Sequence, residues 1–182
     1  MLLRSIAGLF EAERKDAVIT GFHLEHGLVY GVILAVLGSF WIMLVLRINP
    51  RIFLRNYPEA IRAAVPPATV NERRVGIALG LPLFALLIGI PFWSGFNLAN
   101  GHPVGQGALF LDAFIVGMVF NVVDLLLLDV LWLGLLPPQW AMIPGTESVP
   151  HRPEFARHVR GFIVGSIAAA IIALVVSFVV PH

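Results

Sequence analysis

Two groups of side chains in this sequence have the types and spacing to do chemistry. The first is His23, Glu25 and His26, joined by His102 and Asp112 from further along the chain. Two histidines three apart on one helix face, with carboxylates and another imidazole from neighbouring elements, match the ligand needs of zinc, copper or iron. The i, i+3 spacing permits such a site without specifying it, and the His-Glu-x-x-His pattern of zinc proteases is missing. The second group is Asn121, Asp124 and Asp129, on the stretch that also carries Asp112. A charged carboxylate at a bilayer centre costs at least ~2.5–3.5 kcal/mol, so these acids must face partners, water or a ligand rather than lipid.

The bilayer enters through composition. Of 182 residues, 58% are hydrophobic and 13% charged, with a mean hydropathy of +0.89, which is a membrane composition rather than that of a soluble domain. The net charge of +1 excludes a nucleic-acid partner held by bulk electrostatics. With no cysteine, disulfides, thiolate metal sites and cysteine catalysis are excluded. No glycine-rich phosphate loop, nucleophile elbow, kinase signature or hydrolase signature occurs.

Four apolar segments are long enough to cross a hydrocarbon core, which takes about 20 helical residues. They read as Gly27–Ile48, Val75–Phe96, Ala108–Leu136 and Gly161–Val180, with the first helix able to start near Asp16. The expected fold is all-α: one domain over residues 1–182, a bundle of four transmembrane helices with short interfacial helices. Met1–Gly27 mixes acids with Arg4, Arg14 and Lys15, unlike the positive start of a secretory signal. Six arginines fall between Arg47 and Arg74, and Arg152, Arg157 and Arg160 precede the last span. The positive-inside rule then puts these two loops in the cytoplasm and both termini outside.

Local signals fill in the connections. Pro58 reads as a helix start and Pro66–Pro67 as its end, while Pro153 with Glu154 reads as the start of the fourth helix. Pro82 and Pro91 should disturb the second span and free backbone carbonyls. Small residues four apart, in Gly27–Gly31, Gly76–Gly80 and Gly161–Gly165–Ala169–Ala173, predict close helix packing, with a homodimer seam as the other reading.

Taking ~1.5 Å per helical residue sets the depths. Asp112 falls near the outer interface, Asn121 and Asp124 near the centre, and Asp129 in the inner half. Ser39 reaches the depth of Asp124, so Asn121, Asp124, Ser39 and Ser166 are expected to form a hydrogen-bonded cluster. Asp129 is expected to pair with Arg47 or Arg74 reaching up from the inner boundary. His151, Arg152, Arg157, His158 and Arg160 read as topology determinants in contact with lipid headgroups.

The runs Asn56-Tyr57-Pro58-Glu59-Ala60-Ile61 with Pro66-Pro67, Asn121-x-x-Asp124 through Asp129-x-x-Trp132, and Ile143-Pro144-Gly145-Thr146-Glu147 give a resemblance. They resemble uncharacterised four-helix bacterial integral membrane proteins, over most of the chain after the first helix. The resemblance implies an architecture and no catalytic residue. Three functions follow as expectations. One is binding or passage of a small solute, ion or proton through a bundle centred on Asp124, with Asn121, Ser39 and Asp129 beside it. Another is an enzyme or redox protein using a divalent metal, or less readily haem, at the outer cluster. The third is a scaffold or accessory subunit of a membrane complex.

Overall fold

The computed structural model describes the backbone of residues 2–100, 103–136, 138–149 and 155–181, and the side chains of 24–100, 103–132, 135–136, 138–149 and 156–181. Five α-helices follow one another: α1 (Leu2–Ile48), α2 (Glu59–Ala64), α3 (Val70–Ala99), α4 (Gln106–Val123) and α5 (Phe155–Val179). Short 3₁₀ segments occupy Pro50–Asn56 and Gln139–Ala141. Among the described residues there is no strand. Four helical stretches, Leu24–Ile48, Val70–Ala99, Gln106–Trp132 and Ala156–Val179, are long and apolar enough to cross a bilayer, so this is an all-helical, multi-pass membrane protein. They match the four predicted spans to within a few residues at most ends, and α1 extends well beyond its membrane stretch.

α4 is the hub, packing on α1, α5 and α3. Small residues let the backbones close up. A Cβ on Gly31 would meet Val119 at 2.7 Å, one on Gly117 would meet Ala169 at 2.7 Å, and one on Gly95 would meet Val176 at 2.8 Å. Gly27–Gly31 and Gly165–Ala169 therefore pack helices together as expected. Gly76–Gly80 does not: a Cβ on Gly80 would meet nothing within 4 Å, and both glycines line a cleft instead. Beside them, Ile77, Leu81, Phe84 and Ile88 carry the cleft wall out into exposed apolar surface, as a helix apolar all round presents to lipid.

Local chemistry explains the ends. Thr69 caps α3 by accepting from the Glu72 N–H at 3.1 Å, while the Glu72 carboxylate accepts from the Thr69 N–H at 2.7 Å, a complete capping box. Glu72 also holds Arg51 at 2.6 Å, tying the 3₁₀ segment to the start of α3. α2 starts after Pro58 and stops before Pro66, as the prolines predicted. Leu54, Tyr57, Ile61 and Ile143 form a small core beneath it, and the Tyr57 hydroxyl donates to the Ala141 carbonyl across the two long connections. This end of the bundle is the arginine-rich end; the short connection between α3 and α4 marks the other.

α4 departs from expectation after Val123. Asp124–Leu135 winds as a π-helix, seen in the i to i−5 bond from the Leu136 N–H to the Leu131 carbonyl at 2.7 Å. Long π-helices are rare, and short ones concentrate at functional sites.

Candidate functional site

The outer group assembles around Asp112 in a form the spacing only half predicted. Asp112 on α4 is fully buried. Its Oδ1 lies 2.8 Å from His26 Nδ1 on α1, and its Oδ2 accepts from the Ser94 hydroxyl on α3 at 2.6 Å. Ser94 Oγ is also 3.3 Å from His26 Nδ1. The Asp112 carboxyl thus meets a histidine on one helix and a serine on another. Tyr30 packs on the His26 ring at 4.8 Å and meets Trp93 edge-on at 5.3 Å. Three helices are thus stapled at one point, and Gly27 lets α1 approach the Asp112 backbone.

These residue types are those of serine hydrolases, but the geometry is different. A hydrolase serine donates to the imidazole nitrogen opposite the carboxylate. Here Ser94 donates to the carboxylate itself, and both meet the same nitrogen. Of the expected metal ligands, His26 and Asp112 meet. Glu25 is exposed, the His23 side chain and His102 lie outside the described residues, and among the described residues no three His, Cys, Asp or Glu side chains could hold a metal ion.

At mid-bundle, Asn121 Nδ2 donates to Ser166 Oγ and to the Phe162 carbonyl, both at 3.0 Å. The missing Cβ of Gly165 makes room, since a side chain there would run into the Asn121 amide. Ser166 joins as expected; Ser39 does not. Its hydroxyl is buried and finds no hydrogen-bond partner among the described residues.

Asp124 stands at the junction of α- and π-winding, its N–H bonded to the carbonyls of Phe120 and Asn121. In an α-helix, residues five apart point about 140° away from one another. The wider π-winding turns them toward one side. Asp129 pairs with His158 on α5, Oδ2 to Nδ1 at 3.1 Å. This corrects two expectations, because Asp129 was assigned to Arg47 or Arg74 and His158 to lipid. Arg47 and Arg74 are both exposed, whereas α5 crosses α4 where His158 can reach inward. Arg157, its neighbour, instead donates to the Arg55 carbonyl at 2.6 Å. His151 and Arg152 lie outside the described residues.

Between the two groups lies a cavity of about 100 Å³ lined by Pro91, Ala113, Gly117, Phe120 and Asn121, with Leu87. Pro91 cannot donate, so the Leu87 carbonyl loses its helical partner. Gly165, Ala168, Ala169 and Ile172 complete the lining, so Asn121 is its one polar side chain and the space is mainly apolar. α4 thus carries a His–Asp pair at each end, with Asn121, Asp124 and this cavity between them.

Sequence reasoning missed Ser94 and the partnership of His158. Ser94 carries no local signal, because its partners come from two other helices. No family model, no curated protein and no solved structure matches this chain, so the resemblance drawn from the sequence adds no residue assignment.

Proposed function

We propose that this protein binds a proton within the bundle and passes it along α4, with Asp124 as the central carrier and Asp129, His158 and Asn121 as its neighbours. Chains of Asp, Glu and His inside a membrane are the usual material of proton relays, and imidazole exchanges protons near neutral pH. The observation that carries the reading is the π-wound segment, which turns two acids five residues apart to one side and presents the second to a histidine on α5. The arginine-rich connections support an orientation with both termini outside a bacterial inner membrane and His158 on the cytoplasmic side.

The test is proton flux into liposomes reconstituted with the purified protein, driven by a potassium diffusion potential and read by an internal pH dye. Flux above that of protein-free liposomes is expected for the wild type, with loss in Asp124→Asn and Asp129→Asn. Wild-type flux at the protein-free level, or full flux in both variants, refutes the proposal.

A further inference from the structure

A larger cavity, about 980 Å³, opens at the arginine-rich end between α1, the 3₁₀ segment, α2 and the first half of α3. It lies at the top of the ~300–1,000 Å³ range of small-molecule sites. Its two ends differ in chemistry. Arg51, Arg55, Arg62 and Arg73 line one end against the single acid Glu72. Glu72 is taken by Arg51, and Arg55, Arg62 and Arg73 have no carboxylate within ion-pairing distance among the described residues. Arg62 Nε is buried and makes no hydrogen bond there. A buried guanidinium donor without an acceptor is costly unless something supplies one.

The rest of the cavity is apolar, formed by Trp41, Leu83 and the lining face of α3. Trp41 is fixed by donating to the Leu79 carbonyl at 2.8 Å. Gly76 and Gly80 leave the wall recessed, and Ile77, Leu81 and Phe84 carry it out onto lipid-facing surface. From Arg73 to Phe84 the wall runs about 16 Å along the helix. A cationic head end continuing into an apolar channel that is open to the bilayer has the shape of an amphiphile site.

We infer that this cleft binds an acidic phospholipid of the surrounding bilayer, with the phosphate among Arg62, Arg55 and Arg73 and one acyl chain along Gly76–Phe84. Guanidinium groups recognise phosphate oxygens in pairs and are less strongly hydrated than ammonium groups. Anionic lipids are drawn to basic segments beside a membrane helix. The site is separate from the α4 relay, so either can fail alone.

The test is thermal unfolding of the detergent-purified full chain, titrated with phosphatidylglycerol, phosphatidylcholine or inorganic phosphate. Phosphatidylglycerol is expected to raise the midpoint saturably, with little response to the other two. Arg62→Gln removes the guanidinium whose Nε has no partner, and Gly80→Phe puts a ring into the channel at a position where an added Cβ meets nothing within 4 Å. Each is expected to raise the half-saturating lipid concentration about tenfold, relative to its own lipid-free midpoint. If Arg62→Gln does not fold, Gly80→Phe decides alone. An equal response to phosphatidylcholine, saturation by inorganic phosphate alone, or wild-type titrations in the folded variants overturns the inference.

Discussion

The His–Asp pairs at the two ends of α4 use the same chemistry in opposite ways. At one end Asp112 is fully buried on a regular α-helix, with both oxygens engaged by His26 and Ser94 and the aromatic rings of Tyr30 and Trp93 alongside. At the other, the exposure is reversed, with the acid Asp129 keeping 19% of its surface and His158 8%, against 0% for Asp112 and 17% for His26; the helix is π-wound, and a second acid lies one π-turn away. A buried polar group with every bond satisfied fixes a structure. A half-buried pair beside another titratable group has room to change partners. On the proposed reading, the first pair holds the bundle together and the second moves a proton.

The comparison breaks most readily at Asp112. Asp112→Ala strands His26 and Ser94 in a closed site on three helices, and a loss of ~3–5 kcal/mol is expected from removing one partner of a buried pair. Unfolding in detergent should register it, whereas Asp129→Asn should cost about 1 kcal/mol or less and leave the fold intact. Equal losses at the two ends would erase the distinction drawn here.

Next in size is the α1–α4 seam. Gly31→Leu drives a side chain into Val119, which a bare Cβ already meets at 2.7 Å, and overpacking of this kind costs about 1–3 kcal/mol. At Gly80 a Cβ meets nothing within 4 Å, and the same change should leave the lipid-free stability within about 0.5 kcal/mol of wild type.

A smaller effect belongs to Tyr57, whose burial pushes its hydroxyl well above the ordinary tyrosine value. The folded state therefore favours the neutral form. Its stabilising contribution is full below about pH 10 and is lost as the pH climbs from there toward the folded-state value. Tyr57→Phe leaves the Ala141 carbonyl without this donor and should cost about 1–2 kcal/mol at neutral pH. It should also flatten the alkaline limb of a stability profile measured by denaturation. Smallest of all, Glu25→Gln lies on an exposed surface and should change stability by no more than about 0.5 kcal/mol.

How much of this was legible in the sequence depended on whether a residue's role was set by its neighbours in the chain or by another helix. The four spans followed from apolar length, α2 from Pro58 and Pro66, and the close seams at Gly31 and Gly165 from small-residue spacing. The polar residues of the third span were legible as a problem, because hydrocarbon cannot solvate them. Their solutions were not. Ser94 is an ordinary serine until α1 and α4 bring His26 and Asp112 to it. His158 reads as one more polar residue beside arginines until α5 crosses α4 at Asp129. The π-winding has no local signature either: Asp124–Leu135 is apolar apart from its two acids and Gly134, a pattern that suits an α-helix equally well. Ser39 shows the converse error, since equal depth placed it near Asp124 although α1 turns it elsewhere.

The most direct measurement is pH-difference infrared spectroscopy of the reconstituted protein, following the carboxyl stretch of protonated acids. A band that comes and goes with pH and vanishes in Asp124→Asn, while surviving in Glu25→Gln, is the result this account predicts. A spectrum without a pH-sensitive carboxyl band, or one whose band is unchanged in Asp124→Asn, contradicts it.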